Sequence, residues 1–251
     1  MHRFFLPPDT LISEKVLFPQ SLAHQIRRVL HLKEGMQVQV LDNQGSALMV
    51  QLTRLDEDAV EGKVLERIPA PAEPRYAITL CISLTQREKF ELILQKAVEV
   101  GVAAIQPYVS RYSLVRDKTV ESKRRQRWED ILREAAEQCG RGHIPPLLEV
   151  DSLPKVIERC GTGDVLCLAA WEAEQTVNLK DALHPHSKLA EHRDRLALFI
   201  GPEGGFAGQE IEQFQVAGVQ LVSLGRRILR METAAIVAPA LILYELGEMQ
   251  L

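Results

Sequence analysis

The sequence predicts an α/β protein in two parts, a small β-domain over residues 1–70 and an α/β domain over residues 71–251. Three observations carry this expectation. The first 68 residues hold short apolar runs separated by turn residues. Pro69, Pro71 and Pro74 then crowd into six positions and make a stiff connector that packs poorly. Beyond it, apolar runs of strand length alternate with longer segments of helical periodicity, the pattern of a parallel sheet covered by helices. A chain of 251 residues with 46% hydrophobic content is long enough to bury two cores.

In the first part, residues 37–41, 47–52 and 59–68 read as strands, and Asp42-Asn43-Gln44-Gly45 turns the chain between the first two. A short helix over 24–30 precedes them. Such a unit is a small β-barrel or an open β-domain. In the second part, residues 76–84 form the first strand. Phe90, Ile93, Leu94, Ala97 and Val98 recur at helical spacing and Gly101 follows as a C-cap, which predicts a helix over 86–100. Residues 103–109 are a strand, followed by a helix in which Trp128, Ile131, Leu132, Ala135 and Ala136 share one face. Gly161-Thr162-Gly163 reads as a turn after a helix. Buried-type strands are expected at 164–171 and 195–201, and the polar stretch 172–194 has too little periodicity to assign. A helix over 209–217, a strand over 219–225 and a helix over 232–246 complete the chain.

Composition narrows the function classes. The start, Met-His-Arg-Phe-Phe-Leu-Pro-Pro-Asp, breaks the apolar run that a secretory signal needs. The longest apolar stretch, 234–244, contains Pro239 and falls short of the roughly 20 residues that span a bilayer. Cys81, Cys139, Cys160 and Cys167 are scattered without ligand spacing. A cytoplasmic protein without a membrane span or a metal site is expected. Thirty basic against 34 acidic side chains give a net charge of −4, so any nucleic-acid contact must be local. The richest run holds Arg111, Arg116, Lys118, Lys123, Arg124, Arg125 and Arg127 against Asp117 and Glu121. It is either a phosphate-binding patch or a solvated helix face.

Two segments stand where strands leave the predicted sheet, the edge at which ligands of open α/β sheets bind. Gly201-Pro202-Glu203-Gly204-Gly205-Phe206 follows the strand ending at Ile200, and its three glycines let backbone approach a ligand closely or simply make a tight turn. It matches neither a phosphate loop nor a dinucleotide fingerprint, which weakens a classical nucleotide-binding reading. Leu224-Gly225-Arg226-Arg227-Ile228-Leu229-Arg230-Met231-Glu232-Thr233 leads from strand to helix, with Glu232 where the helix dipole favours an anion.

Together these two segments resemble the RsmE family of 16S ribosomal RNA methyltransferases, of the SPOUT superfamily. The likeness extends to Phe90-Glu91-Leu92-Ile93-Leu94-Gln95-Lys96-Ala97-Val98-Glu99-Val100-Gly101, to Ala135-Ala136-Glu137-Gln138-Cys139-Gly140-Arg141 and to the N-terminal β-domain. The resemblance implies a PUA-like RNA-binding β-domain and an α/β domain whose last part, about residues 195–251, is threaded into a deep trefoil knot. It further implies S-adenosyl-L-methionine as cofactor, a homodimer, and methylation of uridine N3 at one site in the 16S rRNA of the small ribosomal subunit. Carried over by position, Ile200, Gly201 and Gly204 form one wall of the cofactor pocket and Leu224, Gly225, Ile228 and Leu229 the other, with Ala170 at a third side. Arg226 and Met231 depart from the proline and threonine common in the family, and the second change removes a hydroxyl.

Uridine N3 carries a proton and is a weak nucleophile until that proton leaves, so the protein must position the base and manage charge. Arg230 is expected to stabilise charge developing on the uracil oxygens, and Glu232 or Glu203 to receive the proton or orient the base. Arg3, Arg27 and Arg28 of the β-domain, with Arg111, Arg116, Lys123, Arg124, Arg125 and Arg127, are the expected RNA contacts. Two other readings fit the same residues: ribose 2′-O methylation, and an RNA-binding assembly factor without turnover.

Overall fold

A computed structural model describes residues 1–12, 14–57, 59–70, 73–116, 119–160, 165–183 and 195–249. The chain divides into two compact units, the first made of Met1–Glu73 with Arg133–Ile144, the second of Pro74–Leu132 with Pro145–Leu251.

The first unit is a six-stranded sheet. Its strands are β1 (Arg3–Phe5), β2 (Leu11–Ile12), β3 (Lys15–Phe18), β4 (Gln37–Leu41), β5 (Ser46–Leu55) and β6 (Val60–Pro69), ordered β1-β4-β5-β6-β3-β2. All pairs are antiparallel except β1 with β4. The β5–β6 ladder carries two register shifts, each of which raises local twist and curls the sheet. No ladder among the described residues joins β1 to β2, so the sheet is an open, curled one rather than a closed barrel. Alternate side chains of β4 and β5, among them Val38, Val40, Leu48 and Val50, meet Phe4, Phe18 and Ile26 in the core. Ile26 comes from a π-helical turn, Gln25–Val29, which continues helix α1 (Gln20–His24). The turn at Asp42 forms as its residues dictate: the buried Asp42 carboxylate accepts the N–H groups of Gln44 and Ser46 at 2.8 and 3.0 Å, and Asn43 and Gly45 take positive φ. Residues 133–144 join this unit through side chains. The Arg3 guanidinium donates to the carbonyl of Gln138 at 2.9 Å, Phe5 N–H donates to Glu137 at 2.9 Å, and buried Arg141 pairs with Glu73 at 2.7 Å.

In the second unit, β7 (Ala77–Ser83), β8 (Ala104–Val109), β9 (Asp151–Ser152), β10 (Val165–Ala170), β11 (Arg195–Ile200) and β12 (Gln220–Val222) form a sheet ordered β12-β10-β11-β7-β8-β9, parallel at every pair. Its helices are α2 (Arg87–Val100), the start of α3 (Ser122–Cys139), α4 (Leu153–Cys160), α5 (Leu179–Leu183), α6 (Gly208–Val216) and α7 (Met231–Glu245). The apolar stripe of α2 is fully buried, and Gly101 caps its end as expected, while Gln86, read as its first residue, stands just before it. Gly101 has φ +112°, a conformation that suits glycine. Phe90 of α2 packs on Trp128 of α3 with ring centres 4.5 Å apart. Phe199, Phe206 and Phe214 meet edge to face where β11 and α6 meet. The predicted strand over 219–225 is shorter: Ser223 N–H leaves the ladder for the carbonyl of Val177 at 2.9 Å. Helix α5 occupies part of the stretch left unassigned above, while the turn predicted at Gly161-Thr162-Gly163 and residue Lys118 lie outside the described residues. No helix among the described residues is long and apolar enough to cross a membrane. Those residues also contain no group of three or more His, Cys, Asp or Glu placed to hold a metal ion.

Candidate active site

Strand register builds the site. Ala170 pairs with Ile200 and with Val222, and Ile200 pairs with Ile82, so four parallel strands end abreast. The loops that leave them therefore converge on one edge. They enclose a cavity of about 500 Å³, within the range that holds a small molecule. Ala170, Ile200, Gly201 and Gly204 line one side and Leu224, Gly225, Ile228 and Leu229 the other, with Glu203, Arg230 and Glu232 completing the boundary. All eleven pocket positions expected from the sequence thus surround one space, although Ile228 is 84% exposed and stands at the rim.

The walls are held by backbone and buried groups. The Tyr108 hydroxyl, whose proton burial holds firmly, donates to the carbonyl of Ile200 at 2.7 Å. Gly205 N–H returns to the carbonyl of Pro202 at 2.9 Å, closing a turn with φ +71° at Gly205. The loop favours glycine there for its conformation, and a β-carbon on Gly205 would also push aside the end of the Glu172 side chain, 2.6 Å away. On the other side Trp171 N–H donates to the carbonyl of Val222 at 3.0 Å.

One flank of the cavity is charged. Glu203 Oε1 accepts from the Thr85 hydroxyl at 2.5 Å and from Lys89 Nζ at 3.1 Å. Burial acts to raise the Glu203 carboxyl, but the donors Thr85, its own backbone N–H and Lys89 outweigh it and hold the group below the usual glutamate range. Glu203 is therefore a weak base. Glu232 stands in the first turn of α7, where the helix dipole favours an anion. Its Oε2 is buried without a hydrogen bond, 4.0 Å from the same lysine. Arg230, the N-cap residue of α7, is exposed at the mouth. Met231 is buried at the start of the helix, so the position that lacks a hydroxyl here carries a packed thioether.

A family model described as RNA methyltransferase domain matches residues 72–243. Ribosomal RNA small subunit methyltransferase E of Synechocystis is 31% identical over 239 residues, covering 95% of this chain and 76% of the relative. The Bacillus subtilis protein of that name is 30% identical over 223 residues, 88% and 87% of the two chains. This chain belongs to the ribosomal RNA small subunit methyltransferase E family. Among solved structures, the family member from Neisseria gonorrhoeae bound to S-adenosyl methionine superposes with a TM-score of 0.88 at 31% identity, covering all of both chains.

The basic residues expected to meet RNA in a methyltransferase of this family fall into two groups. Arg125 is tied to Glu129 and Glu149 at 3.0 Å each and to the carbonyl of Leu147 at 2.7 Å, and Arg127 pairs with Glu91 at 3.6 Å. Arg124 lies over the Trp128 ring, 4.8 Å from its centre. Arg3 serves the end of α3, as described above. These four have structural partners. Arg111, Arg116 and Lys123 are exposed; Arg111 donates to Gln209 at 3.2 Å and Arg116 to the Arg111 carbonyl at 3.4 Å, and among the described residues none of the three has a carboxylate within ion-pair distance. Arg27 and Arg28 lie on the π-helical turn; Arg28 makes an exposed pair with Glu57 at 3.9 Å. Sequence reading missed Lys89, Thr85, Trp171 and Glu172. The first two were reachable, because residues just after the strand at 76–84 must face the ligand edge of the sheet.

Proposed function

We propose that this protein transfers the methyl group of S-adenosylmethionine to N3 of a uridine in small-subunit ribosomal RNA, acting in the cytoplasm on the assembled subunit. The observation that carries this reading is the convergence of the two motif loops on one cavity beside Lys89, Glu203, Arg230 and Glu232, in a chain matching a cofactor-bound family member over its full length. The cavity suits the cofactor: its volume is adequate, its walls mix apolar side chains with backbone, and its glycines permit close approach. Ala170, Ile200, Gly201, Gly204, Leu224, Gly225, Ile228 and Leu229 would hold it. When bound it supplies a sulfonium methyl already activated towards nucleophiles.

The chain's own residues then manage the uracil. Arg230, exposed at the mouth, offers a fixed positive charge to the oxygens that gain charge as N3 loses its proton. Glu203 is held as a weak base by Thr85 and Lys89, whereas Glu232 Oε2 makes no hydrogen bond and is placed to take up the N3 proton. Glu203 instead fixes Lys89 between the two acids. Three further features complete the reading: a PUA-like role for the curled sheet of the first unit, a trefoil knot within residues 195–251, and a homodimer. The parallel order β12-β10-β11-β7 supports the knot, and the exposed Leu241 and Tyr244 of α7 support a partner copy. The domain division 1–70 and 71–251 belongs to the same proposal.

The test is incubation of the protein and labelled S-adenosylmethionine with small subunits lacking modifications, followed by nucleoside analysis. Labelled 3-methyluridine at one position is expected; a ribose-methylated product or no transfer would overturn the reading. Arg230→Ala should lower kcat by 10²-fold or more, on the order of losing one charge-stabilising donor, while cofactor binding stays intact.

A further inference from the structure

The geometry points to Tyr112 as a stacking platform for an unpaired nucleobase next to the reacting uridine. This rests on the rRNA methyltransferase reading above and adds a substrate contact that the motifs do not contain. Tyr112 lies in the loop after β8, and its Cβ and ring edge sit against Gly204 of the cavity wall: a β-carbon on Gly204 would be 3.1 Å from Tyr112 Cβ and 3.5 Å from Cγ. The glycine at 204 leaves room for the tyrosine to pack this closely against the cavity wall. The side chain nevertheless remains 45% exposed. A lone exposed aromatic needs no explanation, but two further observations set this one apart.

The backbone on both sides of Tyr112 is tied down. Arg111 N–H donates to the buried Glu210 carboxylate at 2.9 Å, and Glu210 also accepts from Ala207 N–H at 2.8 Å, which links the loop to the start of α6. The buried Ser113 hydroxyl meets Ser83 Oγ at 2.7 Å and accepts from Ser110 N–H at 2.8 Å. A ring presented from a fixed backbone loses little entropy when a base lands on it. The flanking cations are exposed and bound only to neutral groups: Arg111 donates to Gln209 Oε1 at 3.2 Å and Arg116 to the Arg111 carbonyl at 3.4 Å, and neither has a carboxylate within ion-pair distance among the described residues, unlike Arg125 and Arg127 further along the same basic run. A rigid aromatic flanked by exposed arginines is the chemistry that grips single-stranded RNA: bases stack on the ring and phosphates meet the cations. A base withdrawn from its stack for reaction leaves its neighbours unpaired and in need of such a platform.

The experiment uses the full chain with Tyr112→Ala, Tyr112→Phe and Tyr112→Trp, measuring methyl transfer against the concentration of unmodified small subunits and, separately, S-adenosylmethionine affinity. Stacking predicts that Y112A raises KM for subunits roughly tenfold, that the aromatic variants stay within about threefold of the parent, and that cofactor affinity is unchanged. The salt dependence of subunit binding should keep its slope, because no charge is removed. An unchanged KM in Y112A, or an equal loss in Y112F, overturns the inference while leaving methyl transfer standing. A parallel loss of cofactor affinity also overturns it, by making Tyr112 a prop for the Gly204 wall. Absence of transfer by the unsubstituted protein would remove the underlying reading and this inference together.

Discussion

Lys89 stands between two carboxylates of the site. Its ammonium hydrogen-bonds Glu203 at 3.1 Å and stands 4.0 Å from an oxygen of Glu232 that lacks any hydrogen bond. Glu203 is held below the usual glutamate range, so the folded chain binds this proton less tightly than the unfolded chain does. The carboxylate therefore adds stability at neutral pH and loses that contribution as pH falls through the depressed value. Lys89→Met removes a donor and a charge, and the Glu203 carboxyl should move back up. Titration of the Glu203 carboxyl by NMR should show this rise, and Lys89→Arg should reverse it. A Glu203 carboxyl that titrates unchanged in Lys89→Met would show that Lys89 does not hold it down. At this scale the sequence was legible where a motif fixed the residue type, as at Gly201, Arg230 and Glu232. For Lys89 the sequence offered only its place after the first strand of the sheet, since a lysine in the first turn of an amphipathic helix has no local mark separating a solvated cation from one facing two acids.

At the scale of elements, the sequence read best where periodicity and a cap agreed. The spacing from Phe90 to Val98 and the glycine at 101 predicted α2 nearly to the residue. Gly101→Ala should destabilise the second unit by more than about 1 kcal/mol, since φ is +112° there. The added carbon would also come within 2.9 Å of Pro74 and 3.2 Å of a Leu243 methyl on α7. Denaturant unfolding should show this as a lowered midpoint with an unchanged m-value; an unchanged midpoint would mean the cap carries no strain. Short elements were less legible. β1, β3 and β9 have two to four residues each, too few for a period-2 pattern to declare itself, and they exist because neighbouring strands offer a ladder. The last predicted strand was overdrawn at its end: Leu224 follows Leu221 and Val222 closely enough to suggest continuation, yet Ser223 N–H finds its partner in the carbonyl of Val177.

Across the whole molecule, a modestly acidic chain must concentrate its attraction for RNA in few places. Composition announced this through a net charge of −4, but charge counting cannot tell a committed arginine from a free one. Arg111→Ala is expected to weaken binding of small subunits and to reduce the slope of log affinity against log salt by about one. Arg125→Ala should leave that slope unchanged and lower the melting temperature instead, because three of its contacts are internal. Equal slopes for the two variants would reject the division. The sequence also gave no sign that residues 133–144 leave the α/β unit, because the apolar face of α3 runs on through Ala135 and Ala136 without a break. That excursion bears on biosynthesis. The amino-terminal unit needs Arg141 and Glu137 for its final contacts, and 71 residues separate Glu73 from Ile144 (144 − 73). At roughly 5–20 residues per second a ribosome takes about 4–14 seconds to make them. The nascent β-sheet must wait that long, with its docking face uncovered, while β7 and β8 of the next unit are already emerging.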